Sequence, residues 1–226
     1  VKVYGADLGV AYDGDGDRSI FADERGVTHW GDRTGAFIAD HVLSKKTGSL
    51  IVTTVSTSQL VDYVAESHHS KVLRTRVGSV DVSRAMVTEK ALYGLEENGG
   101  CFYAPHIPVR DGAMATALLL EALSQSESPF SKMLGALPQY HQRKMKIECP
   151  RESVQKVMQK VEKQVEGEVD RTDGVRVWVD AKTWILMRPS GTEPLIRIFA
   201  ESDSGKKLDR AVGRFMEILK KALGHS

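Results

Sequence analysis

The segment LIVTTVSTSQLVDYVAESHHSKVLRT, residues 50–75, determines the fold class of this chain. Leu50–Thr54 is an uninterrupted run of apolar and β-branched residues, which is typical of a buried strand. Residues 57–66 then place apolar side chains at helical spacing, and Lys71–Thr75 returns to a strand pattern. Because a strand, a helix and a second strand in this order form a parallel βαβ unit, the segment predicts an α/β fold.

The same alternation continues on both sides of this segment. Before it, Asp32 can cap a helix that Gly48 ends. After it, a helix over residues 79–89 leads to a strand at 91–94, and a further helix starts near Asp111. The pattern predicts a parallel-type α/β domain with helices on both faces of its sheet.

The pattern changes after Pro138. A strand over residues 141–148 and a helix over 151–165 are followed by three more strands in a row, two of them joined by a turn at Asp173-Gly174. A fourth such segment and a final amphipathic helix close the chain. This order predicts a small α+β domain with a mostly antiparallel sheet and helices on one face, and the polar segment at 125–140 marks the boundary.

Composition excludes several classes of partner. The 226 residues contain 31 Lys and Arg against 30 Asp and Glu, so no basic excess indicates a nucleic acid or an anionic membrane. The longest apolar stretch, residues 113–123, is well short of the roughly 20 residues that cross a bilayer. Cys101 and Cys149 form no disulfide framework, and no targeting signal is visible, so we expect a cytoplasmic protein.

The first candidate site is the acidic loop, residues 13–18, with the sequence DGDGDR. Its carboxylates at alternate positions are oxygen ligands of the kind that Mg²⁺ or Ca²⁺ prefers, and no nearby His or Cys favours a softer metal. An EF-hand is excluded because Arg18 stands where that loop needs Gly and the flanking segments are strands. The alternative is an acidic hairpin loop that binds no ion.

The second candidate site is the Glu96 loop, residues 94–100, with the sequence GLEENGG. It follows a predicted parallel strand, where open α/β sheets bind their ligands. The carboxylate of Glu96 and the amide of Asn98 could contact sugar hydroxyls. A solvated turn explains the same residues equally well, since Gly and Asn are common turn formers.

The third candidate site is the arginine loop, residues 188–197, with the sequence RPSGTEPLIR. Two guanidinium groups, two hydroxyls and a flexible glycine can surround a phosphate with charge-assisted hydrogen bonds. The alternative is an ordinary connection between strands that happens to contain arginines.

In this order and at these separations, the three loops resemble those of the α-D-phosphohexomutase family: phosphomannomutase, phosphoglucomutase and phosphoglucosamine mutase. ADLGVAYDGDGDR, residues 6–18, is similar to the family's metal loop with its approach strand, and the arginine loop is similar to its C-terminal phosphate loop. The Glu96 loop resembles the sugar-specificity loop less closely. The family has four domains, and the resemblance implies that residues 1–27 are the tail of domain 2, residues 28–138 domain 3 and residues 139–226 domain 4.

The resemblance implies an isomerase that moves a phosphoryl group between the C1 and C6 oxygens of a hexose phosphate. It also implies a phosphoserine, Mg²⁺ and a hexose 1,6-bisphosphate that is both intermediate and activator. The implied metal ligands are Asp13, Asp15 and Asp17, and the implied catalytic residue is Arg18, which would support the phosphoryl group or the sugar nearby. The implied substrate-binding residues are Glu96, Asn98, Arg76, Arg188, Ser190, Gly191, Thr192 and Arg197.

The sequence departs from the family at the nucleophile. The family's phosphoserine lies in a Ser-His-Asn-Pro type loop, which this chain lacks, and Ser67–Ser70 (SHHS) is interpreted as a surface segment. In the Glu96 loop, Asn98 stands where the family commonly has Ser, and Gly100 where bacterial members often have His. We therefore expect a fragment that needs the N-terminal domains of the same enzyme for turnover. The alternatives are a non-catalytic sugar-phosphate binding module and a domain that Ca²⁺ merely stabilises.

Overall fold

The computed structural model describes residues 1–224. The chain forms two compact units, Val1–Gln139 and Tyr140–Ser226. The first unit opens with a short 3-10 helix, Lys2–Tyr4, and an antiparallel three-stranded sheet. Its strands are β1 (Leu8–Tyr12), β2 (Ser19–Asp23) and β3 (Thr28–His29).

A mixed sheet of five strands follows in the same unit. In chain order the elements are α1 (Gly31–Lys45), β4 (Leu50–Thr54), α2 (Leu60–Ser67), β5 (Lys71–Thr75), α3 (Ser79–Thr88), β6 (Tyr93–Leu95), β7 (Cys101–Tyr103), β8 (Ile107–Arg110), α4 (Gly112–Ser124) and α5 (Phe130–Gly135). The strand order is β5-β4-β6-β7-β8, and β4 pairs in parallel with both β5 and β6. The predicted parallel α/β arrangement is confirmed for these three strands. The sequence pattern did not predict β7 and β8, which extend the sheet in the antiparallel direction.

Two helix starts differ from the sequence-based expectation. α1 begins at Gly31, and Asp32 is not its cap but lies in the first turn, where its charge favours the helix dipole. α2 begins at Leu60 rather than at residue 57, because the Thr54 hydroxyl bonds to the hydroxyls of Ser56 and Thr57 at 2.9 and 3.0 Å. These buried hydroxyls satisfy one another and delay the helix by one turn.

The second unit has the predicted α+β order. Its elements are β9 (His141–Glu148), α6 (Arg151–Glu162), β10 (Glu168–Asp170), β11 (Val175–Asp180), β12 (Thr183–Pro189), β13 (Leu195–Ser202) and α7 (Gly205–Leu223). The sheet order is β10-β11-β12-β13-β9, and every pair is antiparallel. Val157 and Val161 of α6 and Phe215 of α7 share one core with Ile185 and Ile198 of the sheet, so both helices cover the same face.

Among residues 1–224, no helix is both long enough and apolar enough to cross a membrane.

Asp23 stabilises the turn that connects β2 to β3. Its side chain is fully buried and accepts hydrogen bonds from the backbone N–H groups of Arg25 and Val27 at 3.0 and 2.9 Å. The Arg25 guanidinium and His29 Nε2 each lie 3.0 Å from its other oxygen. Burial alone would raise the pKa of Asp23, but these donors outweigh burial and bring the pKa down to about 2.

The depressed pKa predicts how stability changes with pH. A carboxylate whose pKa is 3.8 in the unfolded chain and about 2 in the folded chain stabilises the fold above pH 3.8 and loses that effect as pH falls through 2. Asp23→Asn should lower the free energy of unfolding near neutral pH by about 1–3 kcal/mol and flatten the loss of stability in acid. Urea unfolding over this pH range measures both effects, with the exposed Asp7→Asn as control. Equal acid sensitivity of wild type and Asp23→Asn would contradict the assignment.

Gly31 lies tightly against the backbone of the Glu96 loop. A Cβ on Gly31 would lie 2.1 Å from Gly99 N and 2.4 Å from Gly99 Cα, so the start of α1 packs directly on the Glu96 loop. Only a residue without a side chain permits this contact.

Gly31→Ala should therefore lower the free energy of unfolding by about 1–3 kcal/mol, because backbone atoms must move to admit the methyl group. Gly213→Ala is the matched control, since Gly213 is exposed in α7 and its Cβ would meet nothing within 4 Å. This control should raise stability by about 0.5–1 kcal/mol through helix propensity. Thermal or urea unfolding measures both, and a neutral Gly31→Ala would contradict the close packing.

Candidate functional site

The acidic loop joins β1 to β2 and brings its carboxylates together. One oxygen each from Asp13, Asp15 and Asp17 lie within 4.8 Å of one another. All the donors are carboxylate oxygens, and Asp17 Oδ1 is buried without accepting a hydrogen bond from residues 1–224. A hard divalent cation fits this donor set, because it would satisfy the buried oxygen and relieve the repulsion among like charges.

Arg18 is already engaged inside this loop. Its backbone N–H donates to Asp13 Oδ1 at 3.2 Å, and its Nε donates to Asp13 Oδ2 at 2.5 Å. Burial would raise the pKa of Asp13, but the hydrogen bonds and charge of Arg18 hold it below its usual value. The Arg18 side chain remains 42% exposed, so it can still donate to a bound anion.

The Glu96 loop lies directly on the acidic loop. Arg18 and Gly100 form an antiparallel bridge, and Ser19 N–H donates to Gly99 O at 3.2 Å. The loop is closed by a 2.8 Å bond from Glu96 N–H to Gly100 O. Gly99 has φ 95°, and a Cβ there would lie 2.4 Å from Ser19 O, so glycine is required at this contact. Two of the predicted sites are thus parts of one arrangement.

Arg110, at the end of β8, links the two loops through its side chain. Its Nη2 lies 2.5 Å from Asp17 Oδ2, and its Nη1 lies 3.6 Å from Glu96 Oε2. Glu96 is only 3% exposed, and its Oε2 accepts no hydrogen bond within the part of the chain that the structure describes. Burial raises the pKa of Glu96, the charge of Arg110 partly opposes this, and Glu97 and Asp17 add to the rise. No motif marks Arg110 in the sequence, and the unpredicted hairpin of β7 and β8 places it here.

Asn98 and Arg76 differ in the contacts that their side chains make in the structure. Asn98 Oδ1 accepts a 3.1 Å bond from Gly100 N–H, which closes the turn and leaves Asn98 Nδ2 as a donor. The Asn98 side chain therefore closes the turn and still has an N–H donor that a ligand could accept from. Arg76 is exposed just beyond β5, and its side chain makes no hydrogen bond or ion pair with residues 1–224. Its substrate-binding role stays a prediction.

The Ser67–Ser70 segment has structural partners. His68 Nε2 lies 2.7 Å from Asp40 Oδ1, and Ser67 Oγ donates to Tyr63 O at 2.9 Å. Ser70 Oγ accepts from Ser49 N–H at 3.1 Å. Ser67 and His69 are exposed, as expected of a surface segment, whereas Ser70 is buried.

The arginine loop lies in the second unit and connects β12 to β13. Arg188 and Arg197 are directly opposite each other in the antiparallel pair, so their side chains project from the same face of the sheet. Like charges in this position repel, which makes the pair a natural binding place for an anion.

The turn of the arginine loop is held by its own hydrogen bonds. Ser190 N–H donates to Leu195 O at 2.9 Å, and Ser190 Oγ accepts from Glu193 N–H at 3.2 Å. Arg151 Nη2 donates to Thr192 O at 2.9 Å. Gly191 and Thr192 are exposed at the tip of the loop.

Each arginine of the loop also has a carboxylate partner that the sequence analysis missed. Arg188 Nε donates to Asp173 Oδ2 at 3.0 Å, and Arg197 Nη2 donates to Glu193 Oε2 at 2.9 Å. Arg197 Nε is buried and has no hydrogen-bond partner in the described part of the chain. The spacing of four residues between Glu193 and Arg197 could have indicated this ion pair from the sequence. No such spacing relates Asp173 to Arg188.

Comparison with known proteins finds relatives of this chain along most of its length. Two family models match the chain: phosphoglucomutase/phosphomannomutase alpha/beta/alpha domain III over residues 30–140, and the C-terminal domain of the same family over residues 145–218. A phosphoglucomutase/phosphomannomutase of Thermococcus kodakarensis is 41% identical over 225 residues, which cover 99% of this chain and 49% of the relative. The chain spans about half the length of this relative.

Two solved structures share the fold. A phosphoglucomutase/phosphomannomutase family protein of Burkholderia thailandensis aligns with a TM-score of 0.87 and 27% identity, covering 98% of this chain and 48% of that protein. An Aspergillus fumigatus N-acetylphosphoglucosamine mutase, solved with GlcNAc-6P and magnesium, aligns with a TM-score of 0.71 and 18% identity, covering 96% and 49%. The match of two consecutive domain models, together with the loops described above, shows that this chain belongs to the phosphoglucomutase/phosphomannomutase family of phosphohexomutases.

Proposed function

We propose that this chain is part of a Mg²⁺-dependent phosphohexomutase, an isomerase that moves a phosphoryl group between the C1 and C6 oxygens of a hexose phosphate through a hexose 1,6-bisphosphate. The observation that carries the proposal is the contact between the acidic loop and the Glu96 loop, made by Ser19 N–H and Gly99 O. Phosphoryl transfer to a sugar requires the cation beside the groups that hold the sugar, because the two reactants must meet in one geometry.

The acidic loop would hold the Mg²⁺ through Asp13, Asp15 and Asp17. When bound, the ion neutralises charge on the phosphoryl oxygens during transfer. The exposed part of the Arg18 guanidinium would donate to the same phosphoryl group. The magnesium in the fungal mutase of the same fold supports this choice of ion.

The Glu96 loop would orient the hexose. The buried Glu96 oxygen that no protein group donates to can accept from a sugar hydroxyl, and Asn98 Nδ2 can donate to one. Arg76 would add a further contact from the end of β5. The relative and the neighbours are named for phosphates of glucose, mannose and N-acetylglucosamine, so the proposal extends to hexose phosphates as a class.

The arginine loop would anchor the phosphate that does not react. Arg188 and Arg197 supply paired guanidinium groups, and an anion between them would relieve their mutual repulsion. The exposed tip would add further donors from Ser190, Gly191 and Thr192. Holding the remote phosphate fixes the distance between the reacting sugar oxygen and the phosphoryl donor, which is how such contacts raise the rate.

We also propose that residues 1–27 are the tail of family domain 2, residues 28–138 domain 3 and residues 139–226 domain 4. The 226 residues contain no Ser-His-Asn-Pro sequence, so the phosphoserine would come from further domains of the same enzyme. The relative of twice the length supports this arrangement. A cytoplasmic location stays a prediction.

The cation proposal predicts the effect of one substitution. Asp15 is exposed, so Asp15→Asn should leave the fold intact while it removes one of the ligand charges. We expect it to weaken Mg²⁺ binding by at least about tenfold in calorimetric titration of the 226-residue chain. Asp7→Asn, just upstream and also exposed, is the control and should bind as wild type does. Equal affinities of Asp15→Asn and wild type would contradict the ligand set.

The phosphate proposal can be tested by phosphorus NMR of glucose 1-phosphate with Mg²⁺, a hexose bisphosphate and the chain. We expect the substrate resonance to broaden on binding and no glucose 6-phosphate resonance to appear, because the nucleophile is missing. Arg188→Ala should abolish the broadening. Arg214→Ala should retain it, since Arg214 is an exposed arginine that pairs with Glu166 elsewhere in the same unit.

Other results would identify a different function. A glucose 6-phosphate resonance, with contaminating mutase excluded, would reveal a nucleophile within these residues. Metal binding without any broadening would favour a domain that Ca²⁺ merely stabilises. The missing Ser-His-Asn-Pro sequence is also compatible with a non-catalytic sugar-phosphate binding module. An upstream reading frame that encodes this loop and two α/β domains would eliminate that alternative.

A further inference from the structure

The turn between β10 and β11 lies against the backbone of Arg188. Gly174 has φ 89°, and a Cβ there would lie 2.3 Å from Met187 O and 2.9 Å from Arg188 Cβ. Any other residue would push the turn away from the start of the arginine loop. The Asp173-Gly174 pair is therefore more than a hairpin connection, because it brings the side chain of Asp173 to Arg188.

Asp173 binds only one part of the Arg188 guanidinium. Its Oδ2 accepts from Arg188 Nε at 3.0 Å, and the two side chains are 10% and 16% exposed. The Arg188 side chain makes no other hydrogen bond or ion pair with residues 1–224. Both Nη atoms therefore remain for an anion, while the Nε contact restrains the plane of the group.

A restrained arginine matters at this position for two reasons. A long side chain loses considerable rotamer entropy when it becomes ordered, and a partner that orders it beforehand removes that cost from ligand binding. In addition, Arg188 faces Arg197 across the strand pair, and without a partner their repulsion would push the two side chains apart.

We propose that Asp173 is a positioning residue for anion binding by Arg188, a role that rests on the proposed function of the arginine loop. Asp173 orders the guanidinium so that its Nη edge faces the incoming phosphate of the hexose. The essential element is the hydrogen-bond acceptor at Nε. The negative charge of Asp173 works against the bound phosphate, because like charges repel.

The distinction between acceptor and charge gives a test by calorimetric titration of the 226-residue chain with glucose 6-phosphate. Asp173→Ala removes the acceptor, and we expect the dissociation constant for glucose 6-phosphate to rise roughly tenfold. In metal sites, loss of a residue that orients a ligand-binding side chain has an effect of this size or larger. Asp173→Asn keeps an acceptor without the charge and should bind within about threefold of wild type. Glu166→Ala, which removes an exposed partner of Arg214, is the control and should not change the affinity.

The Arg188 Nε–H resonance in proton–nitrogen NMR supplies a second measurement that requires no ligand. A hydrogen-bonded, mostly buried Nε–H should exchange slowly with water in wild type and in Asp173→Asn. Its resonance can be assigned because it is lost in Arg188→Lys. The resonance should persist when glucose 6-phosphate is added. An Arg188 Nε–H that exchanges as fast as those of exposed arginines would overturn the proposal. So would wild-type affinity in a folded Asp173→Ala. A wild-type chain that does not bind glucose 6-phosphate would instead overturn the proposed function, and the role of Asp173 with it.

Discussion

The bridge between Arg18 and Gly100 and the hydrogen bond from Ser19 to Gly99 are the contacts on which the first unit's site depends. They hold the acidic loop against the Glu96 loop, although some eighty residues separate the two loops in the sequence. Gly99 is required at this contact, since a Cβ there would lie 2.4 Å from Ser19 O, and Gly31 allows the start of α1 to pack on the backbone of Gly99. Once the loops are joined, Arg110 can reach both Asp17 and Glu96, and the carboxylates of the acidic loop lie beside a buried carboxylate.

The second unit uses a different constraint to prepare its site. Strand pairing places Arg188 opposite Arg197, and the sheet therefore carries an unfavourable pair of like charges. Asp173 and Glu193 compensate by taking one donor from each arginine. The loop between the arginines is closed by Ser190 and its neighbours, so a rigid frame carries a solvent-facing tip. In both units, regular backbone pairing sets the positions of charged side chains, and short glycine-containing segments present them.

Local periodicity in the sequence predicted the elements that bury one continuous face, such as β4, β5 and the final amphipathic helix. The three loops were singled out by their residue types, with no help from periodicity. Periodicity did not predict β7 and β8, whose three and four residues are too short for a period to show. Arg110 and Asp173 were missed for a different reason: each acquires its role from a partner that only the fold brings near. The residue type of Asp32 suits a cap, but the helix begins at Gly31 with Trp30 at the N-cap position, two residues before the predicted cap.

The most direct test of this account is the hydrogen-exchange rate of the Ser19 amide, measured by NMR on the 226-residue chain. If the acidic loop and the Glu96 loop are locked together, the Ser19 N–H bonded to Gly99 O should exchange only through large-scale opening and be as protected as amides in the core of β4. Exchange at the rate of an exposed loop amide, with β4 still protected, would show that the two loops move independently. That result would contradict the claim that a single preorganised site holds the cation and the sugar.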